Sequence, residues 1–345
     1  MDVGIIGASG YGGGELLRWL SVHPHARIKV ATSNTYAGQP VSAAFPGLAG
    51  RFELEFAPDG DITRVAGCGI VFLARDNGVA MELAPRLLEM RCRVIDLSAD
   101  FRFRDSADYE SWYKAKHVQP ELTRTAVYGL PELHRESIQK ADLVGNPGCY
   151  TTTSILALAP LVKRGMIDLE SIVIDGKSGV SGAGRSKFGL DYHFAEANES
   201  VSAYKVAGTH RHTGEIEQEL SFLAGLPIQV SFTPHLIPMT RGILATCYAK
   251  LNRDAGELLI RSLYREFYRD APFVHVTDRL PATKHVTGSN MCHIGIAVDS
   301  RTNRVTVVSV TDNLGKGMVG QAIQNMNLMC GYPETAGLEW PGMWP

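Results

Sequence analysis

Val3-Gly-Ile-Ile-Gly-Ala-Ser-Gly-Tyr-Gly-Gly-Gly-Glu-Leu-Leu-Arg-Trp-Leu20 joins a short apolar run to a glycine-rich turn and then to apolar residues at helical spacing. That order is strand, turn, helix. The spacing Gly7-x-x-Gly10-x-x-Gly13 differs from the commoner G-x-G-x-x-G, yet it occupies the same place between a strand and a helix. A turn without Cβ atoms lets a pyrophosphate approach backbone N–H groups, where the positive end of the helix dipole favours it. Gly7, Gly10, Gly12 and Gly13 make that approach possible, and Ser9 and Tyr11 add hydroxyl donors. The plain alternative is a tight turn that binds nothing.

Working outward, Arg27–Ala31 reads as a second strand, and further strands are expected at Gly69–Ala74 and Arg93–Leu97, with an amphipathic stretch, Val79–Met90, between them. The alternation predicts a Rossmann-type, doubly wound parallel sheet, an α/β class. Beyond Pro160 the strand candidates are Ser171–Asp175, Ile228–Phe232, Gly242–Leu251, Met291–Val298 and Arg304–Val310, interrupted by helical patterns at Glu215–Leu223 and Gly256–Tyr268. This half predicts an α+β domain with a mixed sheet. A last helix is expected over Lys316–Met329.

The chain of 345 residues is long enough for about two domains. Its 34 Lys and Arg nearly cancel its 36 Asp and Glu. No strong field is available to hold nucleic acid or an anionic membrane. No apolar run approaches the ~20 residues of a membrane span, and no basic segment precedes the first strand, so a cytoplasmic protein is expected. The six cysteines form no C-x-x-C pair, and His210 and His212 lack a metal-site pattern, so no metal is expected.

At the end of the second strand stand Thr32, Ser33 and Asn34, where an NAD site usually carries an acid about 20 residues past the glycines. Neutral donors at Ser33 and Asn34 favour NADP. Cys149 follows Asn146-Pro-Gly148 and begins a helical run. That position stabilises a thiolate and offers N–H groups to an oxyanion. The other cysteines lie in or beside apolar runs and read as structural. A nicotinamide turn plus a nucleophilic thiol implies capture of an activated acyl group and reduction of the thioester to the aldehyde level.

With these pieces in place, the chain resembles the N-acetyl-γ-glutamyl-phosphate reductases, relatives of aspartate-semialdehyde dehydrogenase. The resemblance covers nearly the whole length. It rests on Gly7-Ala-Ser-Gly-Tyr-Gly-Gly13, Tyr36-Ala-Gly-Gln-Pro40, Asp96-Leu-Ser-Ala-Asp-Phe-Arg102, Tyr128-Gly-Leu-Pro-Glu132, Asn146-Pro-Gly-Cys-Tyr150, Gly176-Lys-Ser-Gly-Val-Ser-Gly-Ala-Gly184, His210-Arg-His-Thr213 and Thr311-Asp-Asn-Leu314. It implies a discontinuous NADP-binding domain over residues 1–148 and 312–345 and a catalytic domain over 149–311.

The resemblance further implies NADPH-dependent reduction of an acyl phosphate held on Cys149, a step of arginine biosynthesis. His210 is the first candidate for proton transfer and His212 the second, with Glu215 placed to orient a ring. Gly182 and Asn313 are expected at the nicotinamide end, and Ser98, Arg102 and Arg241 at the substrate. A small-molecule substrate and a homo-oligomer are expected. Two departures lie beside the cofactor turn: Arg75-Asp-Asn-Gly78 stands where relatives usually have Leu-Pro-His-Gly, and Asn34 where many have arginine. The competing readings are the same chemistry on carrier-protein-linked aminoadipyl phosphate in lysine synthesis, and a non-catalytic NADP sensor.

Overall fold

A computed structural model describes residues 1–186 and 189–344. The described residues gather into two units. The first holds Met1–Pro147, Gly184–Ser186 and Met318–Glu339. The second holds Gly148–Ala183 and the described residues of Lys187–Gly317 and Trp340–Pro345. Residues 312–317 therefore pack with the second unit, where a boundary at 312 expects them in the first.

In the first unit, β1 (Asp2–Ile6), β2 (Arg27–Ala31), β3 (Ile70–Leu73), β4 (Arg93–Asp96), β5 (Val127–Tyr128) and β6 (Leu143–Gly145) form a sheet of order β2-β1-β3-β4-β6-β5. Every pairing is parallel. Buried on both faces, β3 reads as the unbroken apolar run Ile-Val-Phe-Leu. The order reverses at β1, so the crevice beyond its carboxyl end is the switch point at which such sheets bind ligands. The glycine turn leaves β1 there.

In the second unit, β7 (Val173–Ser178), β8 (Ser202–Ala203), β9 (Ser231–Leu236), β10 (Ile243–Lys250), β11 (Val274–Val276), β12 (Cys292–Asp299) and β13 (Arg304–Thr311) form a sheet of order β11-β12-β13-β10-β7-β9-β8. It is mixed: β10 runs antiparallel to β7 and β13, whereas β7 and β9 run parallel. The helix Cys149–Lys163 packs on β10 and β13 and against the helix His212–Ala224. Tyr150 through Val162 are all buried, as expected of a helix that is covered on every side. Its polar first turn is satisfied in part: Thr151 Oγ1 donates to the Gly148 carbonyl and Thr153 Oγ1 shares a 2.7 Å bond with Thr311 Oγ1, whereas among the described residues the buried Thr152 Oγ1 meets no partner.

The expected last helix is split. Gly315–Val319 winds as a π-helical turn, with the Gly317 N–H bonded to the Asp312 carbonyl, and the α-helix spans Gly320–Met329. That helix carries a buried polar face. Gln321 and Asn325 both donate to the Gly129 carbonyl, and Asn325 also reaches Asn146.

Asn146 is held on four sides within the first unit. Its N–H donates to the Asp96 carbonyl, its own carbonyl accepts from Arg102 Nε, its Oδ1 accepts from Asn325, and its Nδ2 donates to the Met318 carbonyl. The side chain is fully buried. Asn146→Ala would remove two hydrogen bonds, a buried one from Asn325 and a part-buried one to the Met318 carbonyl, each costing roughly 1–3 kcal/mol. Urea unfolding should therefore show a loss of about 2–4 kcal/mol. A change below about 0.5 kcal/mol, the level of an ordinary surface substitution, would contradict this anchoring.

Candidate active site

The glycine turn has the geometry of an anion cradle. Gly7 sits at φ +84°, a conformation that suits glycine. A Cβ at Gly13 would lie 2.4 Å from Ala8 Cα, so this residue permits the helix to pack on its own turn. Gly10, by contrast, faces open space, with nothing within 4 Å of where a Cβ would be. No packing demand explains that glycine; close approach of a ligand does. Gly10 also caps the helix Tyr11–Leu20 without any side-chain acceptor on the first N–H groups. Gly12 abuts the Met318 methyl, and Tyr11 is exposed. These residues fit a dinucleotide pyrophosphate.

At the end of β2, Ser33 Oγ donates to Ser9 Oγ at 2.8 Å and accepts the Tyr36 N–H, whereas Asn34 is exposed. An acid does reach this corner, from a part of the chain that strand-by-strand reading passes over. Asp59 accepts from Thr32 Oγ1 and pairs with Arg75. Arg75 is the first residue of the departure noted above, and its charge cancels that of Asp59. The rest of the departure is structural: Gly78 N–H, Ala80 N–H and Tyr109 Oη all donate to the buried Asp100 carboxylate, and Asn77 Oδ1 accepts from Ala99.

Ser98 and Arg102 are committed within the same unit. Ser98 Oγ donates to Asp96 at 2.9 Å. Arg102 donates to the carbonyls of Asn146 and Leu97, at 2.7 and 3.0 Å, and is buried. Burial, reinforced by the Asp100 charge, raises the Asp96 carboxyl to about 7 against the opposing bonds from Ser98. These side chains read as a frame beneath the Asn146 turn.

In the second unit, Cys149 is the first residue of its helix, behind the extended Gly148. A Cβ at Gly148 would fall 2.5 Å from His212 Nε2, so the imidazole lies directly on the backbone that leads to the thiol. Glu215, wholly buried, accepts the Gly148 N–H at 3.3 Å and stands 4.0 Å from His212 Nε2. On another side, a Cβ at Gly317 would lie 2.9 Å from Cys149 Cβ, so the π-turn brings bare backbone against the cysteine. Such turns recur at functional sites.

His210 is placed differently. Its Nδ1 accepts the His212 N–H at 3.1 Å, and its ring packs edge-on against Tyr150, Tyr204 and Phe232. Burial, with a smaller contribution from His212, pushes its imidazole down to about 2. It is neutral at physiological pH.

Arg241 is gripped by Asp312, whose carboxylate also accepts the N–H groups of Gly288, Leu314 and Gly315. Asp312 belongs to the Thr311-Asp-Asn-Leu314 motif, yet the motif alone points to Asn313. Asn313 is itself buried, accepting from the Gly242 N–H and donating to Ser181 Oγ beside Gly182. Four of the other cysteines are quiet. Burial raises the thiols of Cys68 (to about 11), Cys92, Cys247 and Cys330. Among the described residues no cluster of three or more His, Cys, Asp or Glu is arranged to hold a metal ion.

Known proteins share this architecture. Residues 2–141 match the semialdehyde dehydrogenase NAD binding domain, and residues 149–313 match the semialdehyde dehydrogenase dimerisation domain. Among solved structures, aspartate semialdehyde dehydrogenase II of Vibrio cholerae superposes with a TM-score of 0.73 at 16% identity, covering 96% of this chain and 98% of that one. The aspartate semialdehyde dehydrogenase of Candida albicans gives 0.68 at 18%, covering 95% and 98%. At that identity the likeness speaks for the fold.

Sequence relatives are much closer. Proteins named N-acetyl-gamma-glutamyl-phosphate reductase are 54% identical in Symbiobacterium thermophilum, over 97% of both chains, and 52% in Moorella thermoacetica, over 100% of both. The Geobacter metallireducens protein of that name is 51% identical, again over the full length of both chains. With a nicotinamide-type turn at one switch point, a thiol opening a buried helix and relatives of such closeness end to end, the chain belongs to the N-acetyl-gamma-glutamyl-phosphate reductase family of semialdehyde dehydrogenases.

Proposed function

We propose that the protein reduces N-acetyl-glutamyl 5-phosphate to N-acetylglutamate 5-semialdehyde and phosphate, using NADPH and a thioester on Cys149. The observation that carries this reading is the setting of Cys149: first in its helix, with His212 on the preceding backbone and Gly317 behind it. The names of the relatives support the substrate. NADP over NAD is supported by neutral residues at the end of β2 and by Arg75 neutralising Asp59, the acid that bonds Thr32 there. The match to a dimerisation domain supports a homo-oligomer. Among the described residues no helix is long and apolar enough to cross a membrane, and the cytoplasm suits this metabolic step.

The residues act as follows. His212 takes the thiol proton of Cys149, and the sulfur attacks the acyl carbon. The oxyanion that forms faces N–H groups of the first helical turn, which have no intrahelical acceptor. Phosphate departs with the electron pair of the C–O bond and leaves a thioester. When bound, the reduced nicotinamide supplies the hydride that brings the acyl carbon to the aldehyde level. The protonated His212 gives its proton to the oxyanion left by that transfer, which forms the thiohemiacetal, and takes the hydroxyl proton back as the C–S bond breaks and the thiolate is restored. Glu215 faces the imidazole and balances its positive charge. Arg241, aimed by Asp312, holds an anionic group of the substrate.

His210 serves instead as a positioning residue: neutral, it accepts the His212 N–H and fixes the start of that helix. His212→Asn should lower kcat by about 10²–10⁴-fold. His210→Asn should cost less than about 10-fold and leave the pH profile of kcat unmoved, because a group already neutral there contributes no titration. Steady-state kinetics of the two variants decide the matter, and the reverse order of effects would refute the assignment. The activity itself is tested by phosphate-dependent NADP reduction with N-acetylglutamate 5-semialdehyde, expected for the native protein and absent in Cys149→Ser. No reduction by the native protein would overturn the reading.

A further inference from the structure

We propose that Arg185 is the cation that reads the ribose 2′-phosphate of the cofactor, in place of a residue following β2; the inference rests on the NADP reading above. Arg185 ends the glycine-rich segment that begins at Gly176. It belongs to the first unit, with the glycine turn. Its Nη1 donates to the Ser9 carbonyl at 3.0 Å. Its guanidinium lies 5.8 Å from the Tyr36 ring centroid and 5.1 Å from that of Phe45. Phe45 in turn packs on Gly14 of the turn's helix, where a Cβ would meet the ring at 2.5 Å. The cation is thus fixed from three directions above the turn.

The same corner holds the two hydroxyls that bond each other, Ser9 Oγ and Ser33 Oγ. Ser33 stands at the end of β2, the place where this fold reads the ribose hydroxyls. Tyr36, which lies near Arg185 through its ring, donates its N–H to Ser33 Oγ. The guanidinium bonded to the Ser9 carbonyl and the Ser9–Ser33 hydroxyl pair therefore share one corner, where the guanidinium fork and the Ser9 hydroxyl, whose proton the Ser33 bond leaves available, are donors of the kind a phosphate dianion requires. Other charges nearby fit the assignment. Asn34 supplies no charge, and Arg75 is paired with Asp59, so it serves to remove a repulsive carboxylate rather than to grip the phosphate. Only one of the five N–H donors of Arg185 bonds Ser9, and a planar fork keeps the others for an incoming anion.

Binding of nucleotide fragments by calorimetry tests this apart from turnover. The native protein should bind 2′,5′-ADP more tightly than 5′-AMP. In Arg185→Gln the affinity for 2′,5′-ADP should fall at least 10-fold, while that for 5′-AMP changes less than about 3-fold, since the lost group contacts only the 2′-phosphate. Equal weakening of both fragments would assign Arg185 a merely structural role and overturn the inference, as would no change in either. A native protein that binds the two fragments alike would overturn the NADP reading itself, and this inference with it.

Discussion

The structure depends on how firmly Asn146, the residue that follows β6, is held within the first unit. Asn146 is bonded through every polar atom it has, to β4, to Arg102, to the π-turn and to the last helix. Three residues later the helix begins with the half-buried Cys149, and from Tyr150 to Val162 every residue is buried. A thiol at that point meets a fixed positive end of a dipole in a site of low dielectric, where such a field counts most. Preorganisation of this kind is what a reaction through an oxyanion needs.

Around that point burial sets apart groups of the same chemical kind. His210 is driven neutral by burial and accepts the His212 N–H, whereas His212 lies against Gly148 and opposite Glu215. Two histidines two residues apart thus stand in different surroundings, one of which moves the pKa of its ring. The same contrast holds among the cysteines, where burial keeps Cys68, Cys92, Cys247 and Cys330 protonated. The buried carboxylates Asp100 and Asp312 hold loops together by gathering backbone N–H groups that would otherwise lack acceptors.

Much of this was legible in the chain itself. The glycine turn, the parallel α/β half, the mixed second sheet and Cys149 at a helix start all follow from local pattern and are present. Short elements escaped: Val127–Tyr128, Leu143–Gly145 and Ser202–Ala203 are too brief to carry a period. The π-turn at Gly315–Val319 has no pattern distinct from the α-helix that follows it. Contacts between distant stretches were invisible for a different reason. Neither Asp59 with Arg75 nor Arg185 with Ser9 can be inferred from spacing, because the sheet alone decides that they meet. Arg102 and Ser98 show the converse, since a motif named them for substrate while the structure engages them with the frame under Asn146. The burial that drives His210 neutral is likewise something no sequence window reports.

The claim that gives the rest its meaning is that the acyl group passes through Cys149. Mixing the protein with N-acetyl-glutamyl 5-phosphate in the absence of reduced nicotinamide should halt the reaction at the thioester. Intact-mass spectrometry after acid quench should then show one N-acetylglutamyl group per chain, mapped by proteolysis to the peptide bearing Cys149 and discharged when NADPH is added. An adduct on another residue, or full turnover with no adduct on Cys149 at any time, would contradict the account.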